Sequence, residues 1–196
     1  MRILLFSMKF AFLRRGIKKK GFGCILDVPT DLTVQEKYLL YRKANNLKPN
    51  SVIVEIGSYL GASSCFLALG AMNNGSTVYC VDTWKNQAMS EGERDTYENF
   101  LENTKLFPNI VPLRGYSGDI GRTFDRQIDL LFVDGDHSYG GVKIDVQTWS
   151  PFLKNESVII FHDIGWAEGV AKVIDELIKP MAFKEGCLPN LYWSVV

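Results

Sequence analysis

Six short apolar segments, most of them rich in β-branched residues, are spaced along the chain and separated by mixed polar stretches. Segments of this length and composition are typical of strands buried in a parallel sheet. The third segment contains Pro112, which indicates an edge or irregular position because proline cannot donate to a strand ladder. The predicted strands cover residues 52–54, 77–82, 110–114, 128–133, 157–161 and 191–196.

Between these strands, apolar residues recur at the spacing of a helix that buries one face. Asn74 and Gly75 follow one such segment and predict a left-handed helix cap. Alternating strands and helices imply an α/β domain in which helices cover both faces of a mostly parallel sheet. Helices are predicted over residues 32–46, 62–73 and 168–179. A fourth is predicted to start at a capping box formed by Ser90 and Glu93. A fifth is predicted to carry Val142, Val146 and Trp149 on one face.

The first strand leads into a glycine turn that runs from Glu55 through Gly57 to Gly61 and opens a helix. In an open α/β sheet, this carboxyl end of the first strand is where a nucleotide-like ligand binds. The dinucleotide fingerprint G-x-G-x-x-G does not fit, because Tyr59 and Ala62 stand where it needs glycines. A carboxylate beside the turn suits a ligand with ammonium and hydroxyl groups better than a pyrophosphate. A glycine turn of some other α/β domain remains the alternative.

A second acid ends the next predicted strand, since Asp82 lies 25 residues after Gly57. An acid at this place accepts hydrogen bonds from the ribose hydroxyls of a bound nucleoside. Trp84 follows it and is a candidate for contact with an adenine face, with ordinary packing as an equal alternative. Ser117, just after the third strand, is a further candidate for approach to the adenine.

The two histidines of the chain both lie at the carboxyl ends of predicted core strands. The fourth strand leads into Asp134, Asp136 and His137, and the fifth leads into His162 and Asp163. Because the carboxyl ends of parallel strands meet at one edge of the sheet, we expect these side chains to lie together. The combination points to chemistry more specifically than any one of these residues does.

The glycine turn resembles motif I of class I S-adenosylmethionine-dependent methyltransferases, which in its fuller form has glycine at the position of Tyr59. The stretch Val-Asp-Gly-Asp-His-Ser-Tyr at 133–139, the Val142-Lys-x-Asp145 and Trp149 that follow it, and the Phe-His-Asp at 161–163 resemble the family of macrolide-sugar O-methyltransferases and cephalosporin hydroxylase-like proteins. This resemblance covers roughly residues 33–165. It implies a three-layer α/β/α, Rossmann-like methyltransferase fold with a mostly parallel seven-stranded sheet.

The resemblance also implies a cofactor and a site. S-adenosylmethionine is the expected methyl donor, and Asp134, Asp163 and His162 are the expected ligands of a divalent cation, magnesium or manganese. His137 matches the residue that would act as the general base. The residues implied for cofactor binding are Glu55, Gly57, Ser58, Gly61, Asp82, Trp84, Ser117 and Asp134.

The chemistry of methyl transfer agrees with these roles. The sulfonium is already activated, so the protein must bring the acceptor oxygen into line and help it lose a proton. A hard cation polarises a hydroxyl, and a neutral imidazole accepts its proton. We therefore expect an enzyme that methylates a hydroxyl of a sugar or other small molecule. The open alternatives are a metal-independent or nitrogen-directed methyltransferase, a cofactor-binding protein without catalysis, and an NAD-dependent oxidoreductase, which Tyr59 disfavours.

Length and composition indicate one globular domain. The chain has 196 residues, of which 46% are hydrophobic and 22% charged, as in ordinary single-domain proteins. Its four cysteines show neither metal-ligand spacing nor a disulfide pattern, which predicts a reduced, cytoplasmic protein. No apolar run is long enough to cross a bilayer.

The net charge of zero is unevenly distributed. Residues 1–20 carry seven basic residues and no acid, which leaves a net charge of −7 on the remainder. An acidic body disfavours nucleic acid as a partner. We expect residues 1–26 to form a basic, apolar segment outside a single methyltransferase domain over 27–196. That segment is interpreted as a helix packed on the body or on a second subunit of a homodimer, a helix on an anionic membrane surface, or a disordered tail.

Overall fold

The computed structural model of the chain describes residues 2–86 and 92–196, with side chains from residue 8 onward. Strands and helices alternate through most of the chain, as the apolar pattern predicts. The helices are α1 (Arg2–Lys19), α2 (Val34–Asn45), α3 (Ala62–Ala71), α4 (Tyr97–Thr104), α5 (Ser117–Gly121), α6 (Tyr139–Trp149) and α7 (Glu168–Val173). The strands are β1 (Val52–Ile56), β2 (Thr77–Asp82), β3 (Ile110–Arg114), β4 (Ile128–Val133), β5 (Leu153–His162), β6 (Lys184–Leu188) and β7 (Leu191–Val195).

Within the described residues, these strands form one seven-stranded sheet in the order β3-β2-β1-β4-β5-β7-β6. The first five strands in that order run parallel, β7 is antiparallel to β5, and β6 is antiparallel to β7. The chain order reverses between β1 and β4, so the carboxyl ends of these two strands flank a crevice at the top of the sheet. The predicted α/β class and mostly parallel seven-stranded sheet are confirmed.

Two apolar clusters cover the two faces of the sheet and complete the three layers. One joins β1 and β2 to α2 and α3 around buried residues that include Leu40 and Phe66. The other joins β4 and β5 to α6 and α7 through residues that include Val142 and Trp149. Each strand of the sheet centre is therefore buried on both faces, which explains its unbroken apolar sequence.

The predicted elements agree with the structure except where the apolar pattern is weak. Pro112 lies in β3, an edge strand, and Gly75 adopts a left-handed cap with φ of 70°. Strand β6 was not predicted, because it is a mostly exposed edge strand without an alternating pattern. Helix α4 begins at Tyr97, whereas Ser90 of the predicted capping box lies outside the described residues.

The N-terminal segment is a helix that packs on the body of the domain. Phe10 and Ile17 of α1 and Ile25 of the following turn are buried in the same cluster as α2 and α3. This placement matches one of the three interpretations of the segment, while the domain boundary near residue 27 stays a prediction. Within the described residues, no helix combines the length and the apolar character that crossing a membrane requires.

The start of α3 provides a test of the packing. Gly61 has φ of 86°, and a β-carbon there would lie 2.7 Å from Thr104 Cγ2 and 3.1 Å from Phe100 Cδ2. Gly21 has a similar φ of 83° with nothing within 4 Å. We expect Gly21→Ala to lower the free energy of unfolding by about 1–2 kcal/mol from the left-handed backbone alone. Gly61→Ala should lower it by a further 1–3 kcal/mol or so through overpacking.

Chemical denaturation of both variants, followed by circular dichroism, measures the difference. Equal losses of stability in the two variants would contradict the tight packing of the turn against α4.

Candidate active site

A cavity of about 830 Å³ opens at the carboxyl ends of β1 to β4. Its wall is formed by the turn after β1, the end of β2, the loop that starts α5, the turn after β4 and the first turns of α6. This is the crevice that the strand order predicts for ligand binding. Of the residues predicted to bind a cofactor, four line it, namely Gly57, Asp82, Ser117 and Asp134.

Gly57 joins the turns that follow β1 and β4. Its φ is 85°, and a β-carbon at this position would overlap the carbonyl oxygen of Asp134. Gly57 N donates to Val81 O at 2.9 Å, and Asp134 N donates to Ile56 O at 2.9 Å. Only glycine allows the two turns to approach this closely.

Glu55, Ser58 and Gly61 lie behind the cavity rather than in its wall. Glu55 and Ser58 are buried, and the carboxylate of Glu55 accepts a hydrogen bond from the hydroxyl of Ser64 in α3. Burial raises the pKa of Glu55. The structure therefore corrects the expectation that the Glu55 carboxylate faces a ligand, because that side chain supports the start of α3. Gly61 provides space for α4, not for a bound molecule.

Asp82 is held at the end of β2 with its carboxylate facing the cavity. Its Oδ2 accepts from Tyr59 N at 2.8 Å, and its Oδ1 accepts from Trp84 N at 2.7 Å. A carboxylate offers about four acceptor positions, so each oxygen keeps one for a further donor. Asp82 can therefore accept a pair of neighbouring hydroxyls without losing its own supports.

Trp84 does not reach the cavity. Its side chain is fully buried, with the ring centroids of Tyr97 and Phe100 at 4.9 Å and 4.7 Å. Its Nε1 donates to Tyr59 O at 2.9 Å. The expected contact with an adenine face is thus corrected: Trp84 holds the turn after β1 from behind.

Ser117 links the loop after β3 to α6. Its hydroxyl donates to Asp145 Oδ1 and accepts from Trp149 Nε1 at 3.1 Å. Asp145 lines the cavity but is 5% exposed, and burial raises its pKa to about 6. The sequence analysis gave Asp145 no role. The available signal was an acid among Val142, Val146 and Trp149 on the buried face of an amphipathic helix.

Asp134, His162 and Asp163 meet where β4 and β5 end. His162 Nδ1 lies 3.3 Å from Asp134 Oδ1 and 3.2 Å from Asp163 Oδ1. One potential ligand atom from each residue lies within 4.8 Å of the other two. Two carboxylate oxygens and an imidazole nitrogen at this spacing fit the donor set of a divalent cation.

Glu36 of α2 completes the surroundings of His162. Its Oε2 accepts from Thr33 N at 2.7 Å in a capping box and lies 3.6 Å from His162 Nε2. Burial alone would lower the pKa of His162, but Asp134, Asp163 and Glu36 outweigh it and raise that pKa to about 12. Glu36 was missed because a capping box explains its sequence position without any tertiary contact.

His137 stands at the rim of the cavity beside Asp163. Its Nε2 lies 2.8 Å from Asp163 Oδ2, and this contact raises the pKa of His137. Trp166 Nε1 and Asn190 Nδ2 donate to Asp163 Oδ1 at 2.8 Å and 2.9 Å. Burial favours the neutral acid, but donors that include both histidines and Asn190 outweigh it and hold the pKa of Asp163 well below its usual range.

The chain belongs to a methyltransferase family, since the family model described as "Methyltransferase domain" matches residues 54–164. This assignment confirms the methyltransferase family that the sequence motifs indicate. An uncharacterised protein of Sinorhizobium fredii, y4gI, is 33% identical over 117 residues, which cover 57% of this chain and 13% of that protein. The uncharacterised protein R132 of Acanthamoeba polyphaga mimivirus is 29% identical over 120 residues, which cover 50% of this chain and 54% of that one. The chain thus spans only part of these relatives.

Solved structures show the same fold. The O-methyltransferase NovP superposes with a TM-score of 0.70 at 14% identity, over 85% of this chain and 81% of that one. An O-methyltransferase from Bacillus cereus in complex with SAH gives 0.67 at 14% identity, over 97% and 90% of the two chains. CalS11, a TDP-rhamnose 3'-O-methyltransferase, gives 0.60 at 17% identity, over 81% and 76%.

The two imidazoles can be observed separately, because the chain has only two histidines. In protein treated with a chelator, we expect His162 to stay protonated between about pH 5 and about pH 9. An ordinary histidine loses its proton within this range. His137 should release its proton at a pH above the ordinary value, since its folded-state pKa is raised. Asp163→Asn should lower the pKa of His137. Heteronuclear NMR of the imidazole rings measures both titrations.

Glu36→Gln is the matched control, because it changes the surroundings of His162 and leaves those of His137 intact. A His162 that titrates near its ordinary pKa would contradict the arrangement of carboxylates around it.

Proposed function

We propose that this protein transfers the methyl group of S-adenosylmethionine to a hydroxyl of a sugar or other small hydroxylated molecule, with help from a divalent cation. The observation that carries the proposal is the position of His137, held by Asp163 at the rim of the cavity and next to the three-residue donor set. A base, a cation site and a cofactor crevice then border one space.

Four residues are suited to bind the cofactor. Asp82 would accept hydrogen bonds from the ribose hydroxyls, and Gly57 would let the backbone approach the amino-acid part. Asp134 offers a carboxylate to its ammonium group. Ser117 borders the part of the cavity left for the base. Glu55, Ser58 and Gly61 would act by shaping the turn from behind.

Asp134, His162 and Asp163 would hold the cation. An imidazole among the ligands favours manganese or a later transition metal over magnesium, which prefers oxygen. When bound, the cation polarises the acceptor hydroxyl and favours its deprotonation. Glu36, on the far side of the imidazole, orients His162 so that Nδ1 faces the two carboxylates.

His137 would take the proton from the acceptor. Because Nε2 lies 2.8 Å from Asp163 Oδ2, the neutral ring would carry its proton on Nε2 and keep the lone pair of Nδ1 for the proton of the acceptor. Asp163 then stabilises the imidazolium that forms. The departing proton and the incoming methyl group lie on the same oxygen, so the base must border the cavity, as His137 does.

Trp166 favours a ring-shaped acceptor. Its side chain is 63% exposed, borders the cavity and lies 4.9 Å from the ring of His137. The hydrogen bond to Asp163 fixes the indole in place. A fixed, exposed aromatic face beside the base is suited to packing against the apolar face of a sugar. CalS11 is named as an enzyme that acts on TDP-rhamnose, which supports the same substrate class.

Methyl transfer to a panel of sugars and nucleotide sugars, with S-adenosylmethionine and added manganese or magnesium, tests the proposal. We expect activity that a chelator removes and manganese restores. Asp134→Asn should lose this metal stimulation, whereas Asp125→Asn, at an exposed acid remote from the cavity, should keep it. Full activity in the presence of chelator would refute the role of the cation.

His137→Ala should lower kcat by about 10²- to 10⁴-fold, the usual contribution of a general base, with the Kd of S-adenosylmethionine unchanged. Because the neutral ring is the active form and its pKa is raised, the rate should fall on the acid side of that raised value. Stopped methyl-transfer assays across pH, with calorimetry for the Kd, measure both. An unchanged kcat would remove His137 from the reaction.

Trp166→Ala should raise the KM of the acceptor about two- to ten-fold through loss of the aromatic face. Trp166→Phe should keep most of the affinity, since it retains a ring. Phe183→Ala removes an equally exposed aromatic side chain outside the cavity and serves as control. If the three variants have the same KM, Trp166 does not contact the acceptor.

A further inference from the structure

The helices α1, α2 and α3 lie on one side of the sheet, and their exposed charges are basic. Helix α1 contains no acid and α3 contains no charged residue. The one acid of α2 is Glu36, which is buried beside His162. Among the residues whose side chains the structure describes, no salt bridge involves a cation of these helices. This side of the domain is therefore positive, although the chain as a whole is neutral.

The outer side of α1 combines cations with exposed apolar side chains. Met8, Phe12, Arg15 and Lys19 recur at intervals of four, three and four residues, so they lie along one side of the helix. Phe12 is 80% exposed and Met8 is 66% exposed, whereas Phe10 of the same helix is buried in the core. Packing on the body thus uses one side of α1 and leaves a basic and apolar side outward.

Met8 and Phe12 also border a groove of about 540 Å³ between α1 and α2. The residues that line it are mostly aliphatic or aromatic. Lys9, Lys20 and Arg42 line it as well, and all three are exposed. The groove and the outer side of α1 form one continuous patch, and an exposed apolar patch with a polar rim marks an interaction surface.

We propose that α1 and the groove beside it dock the protein on an anionic membrane surface. Phe12 and Met8 would enter the boundary between head groups and acyl chains, and Arg15 and Lys19 would contact the head groups. The groove would accept part of one acyl chain. This proposal goes beyond methyl transfer and does not depend on it.

Charge complementarity identifies the occupant of the patch. Two copies related by a two-fold axis would set this basic face against itself. A nucleic acid duplex offers anions without the hydrocarbon layer that Met8 and Phe12 require. A free anionic amphiphile could fill the groove, but Arg15 and Lys19 do not line it and would gain no anions. An anionic bilayer satisfies the groove, the exposed apolar side chains and the outer cations together.

Sedimentation of the full chain with vesicles tests the docking. We expect binding to phosphatidylcholine vesicles that contain about 30% phosphatidylserine, and binding about ten-fold weaker or less to phosphatidylcholine alone. Salt at about 0.5 M should release the protein, because it screens the head groups. Equal binding to the two kinds of vesicle, or binding to neither, would overturn the proposal.

Arg15→Gln combined with Lys19→Gln should weaken binding to the phosphatidylserine vesicles roughly 10- to 30-fold, since each cation near such a surface contributes about five-fold. Arg126→Gln combined with Lys172→Gln removes the same charge at exposed positions outside α1 and should leave binding unchanged. Equal weakening by the two pairs would mean that net charge, and not this face, attracts the protein, which would contradict the docking.

Phe12→Ala should weaken vesicle binding about three- to ten-fold through lost apolar burial. Phe183→Ala, at another exposed phenylalanine, should have no effect. Since Phe12 is exposed, its loss should also leave the free energy of unfolding unchanged. Vesicle binding that does not respond to Phe12→Ala would overturn the insertion of α1.

Two measurements without vesicles separate the other occupants. Sedimentation equilibrium reports a second copy, and calorimetry with monomeric dodecyl phosphate reports a free amphiphile. A dimer that Arg15→Gln and Lys19→Gln dissociate, or binding of dodecyl phosphate, in a protein that does not bind vesicles would assign the patch to that occupant instead and overturn the membrane docking.

Discussion

The close approach of the turns after β1 and β4 is the constraint on which the site depends. Gly57 lies against the backbone of Asp134, and a hydrogen bond from Asp134 to Ile56 fixes the contact. One turn borders the cavity, and the other leads directly into His137. In the proposed reaction, their contact would set the distance between the methyl donor and the groups that prepare the acceptor. A side chain at residue 57 would then separate two groups that must act on neighbouring atoms.

Charge at the edge of the sheet is organised around Asp163. Its two oxygens accept hydrogen bonds from the indole of Trp166 and the amide of Asn190, and they also contact both imidazoles. The two histidines differ in consequence. His162 is buried among carboxylates, whereas His137 is partly exposed, borders the cavity and, among the described residues, contacts the carboxylate of Asp163. The same residue type thus serves once as part of a fixed cluster and once as a group that can exchange a proton.

The sequence predicted the sheet because the central strands are buried on both faces and carry unbroken apolar runs. It also predicted the place of Asp82, Asp134 and His137, because a strand end determines the position of the next residue. It was wrong about Trp84 and Glu55, since whether a side chain turns towards a crevice or towards the core depends on packing that the chain order does not reveal. Glu36 and Asp145 lie on helices, and their partners come from distant parts of the chain.

The contact between Glu36 and His162 has a consequence for how the domain can be rearranged. Glu36 lies in α2, ahead of the residues 54–164 that match the family, yet it supplies one of the negative charges around a buried imidazole. The start of α2 and the end of β5 therefore form one electrostatic unit. A chimera that joined the matched region to a foreign N-terminal helix would inherit a histidine with one counter-charge too few, unless the new helix brought an acid to the same place.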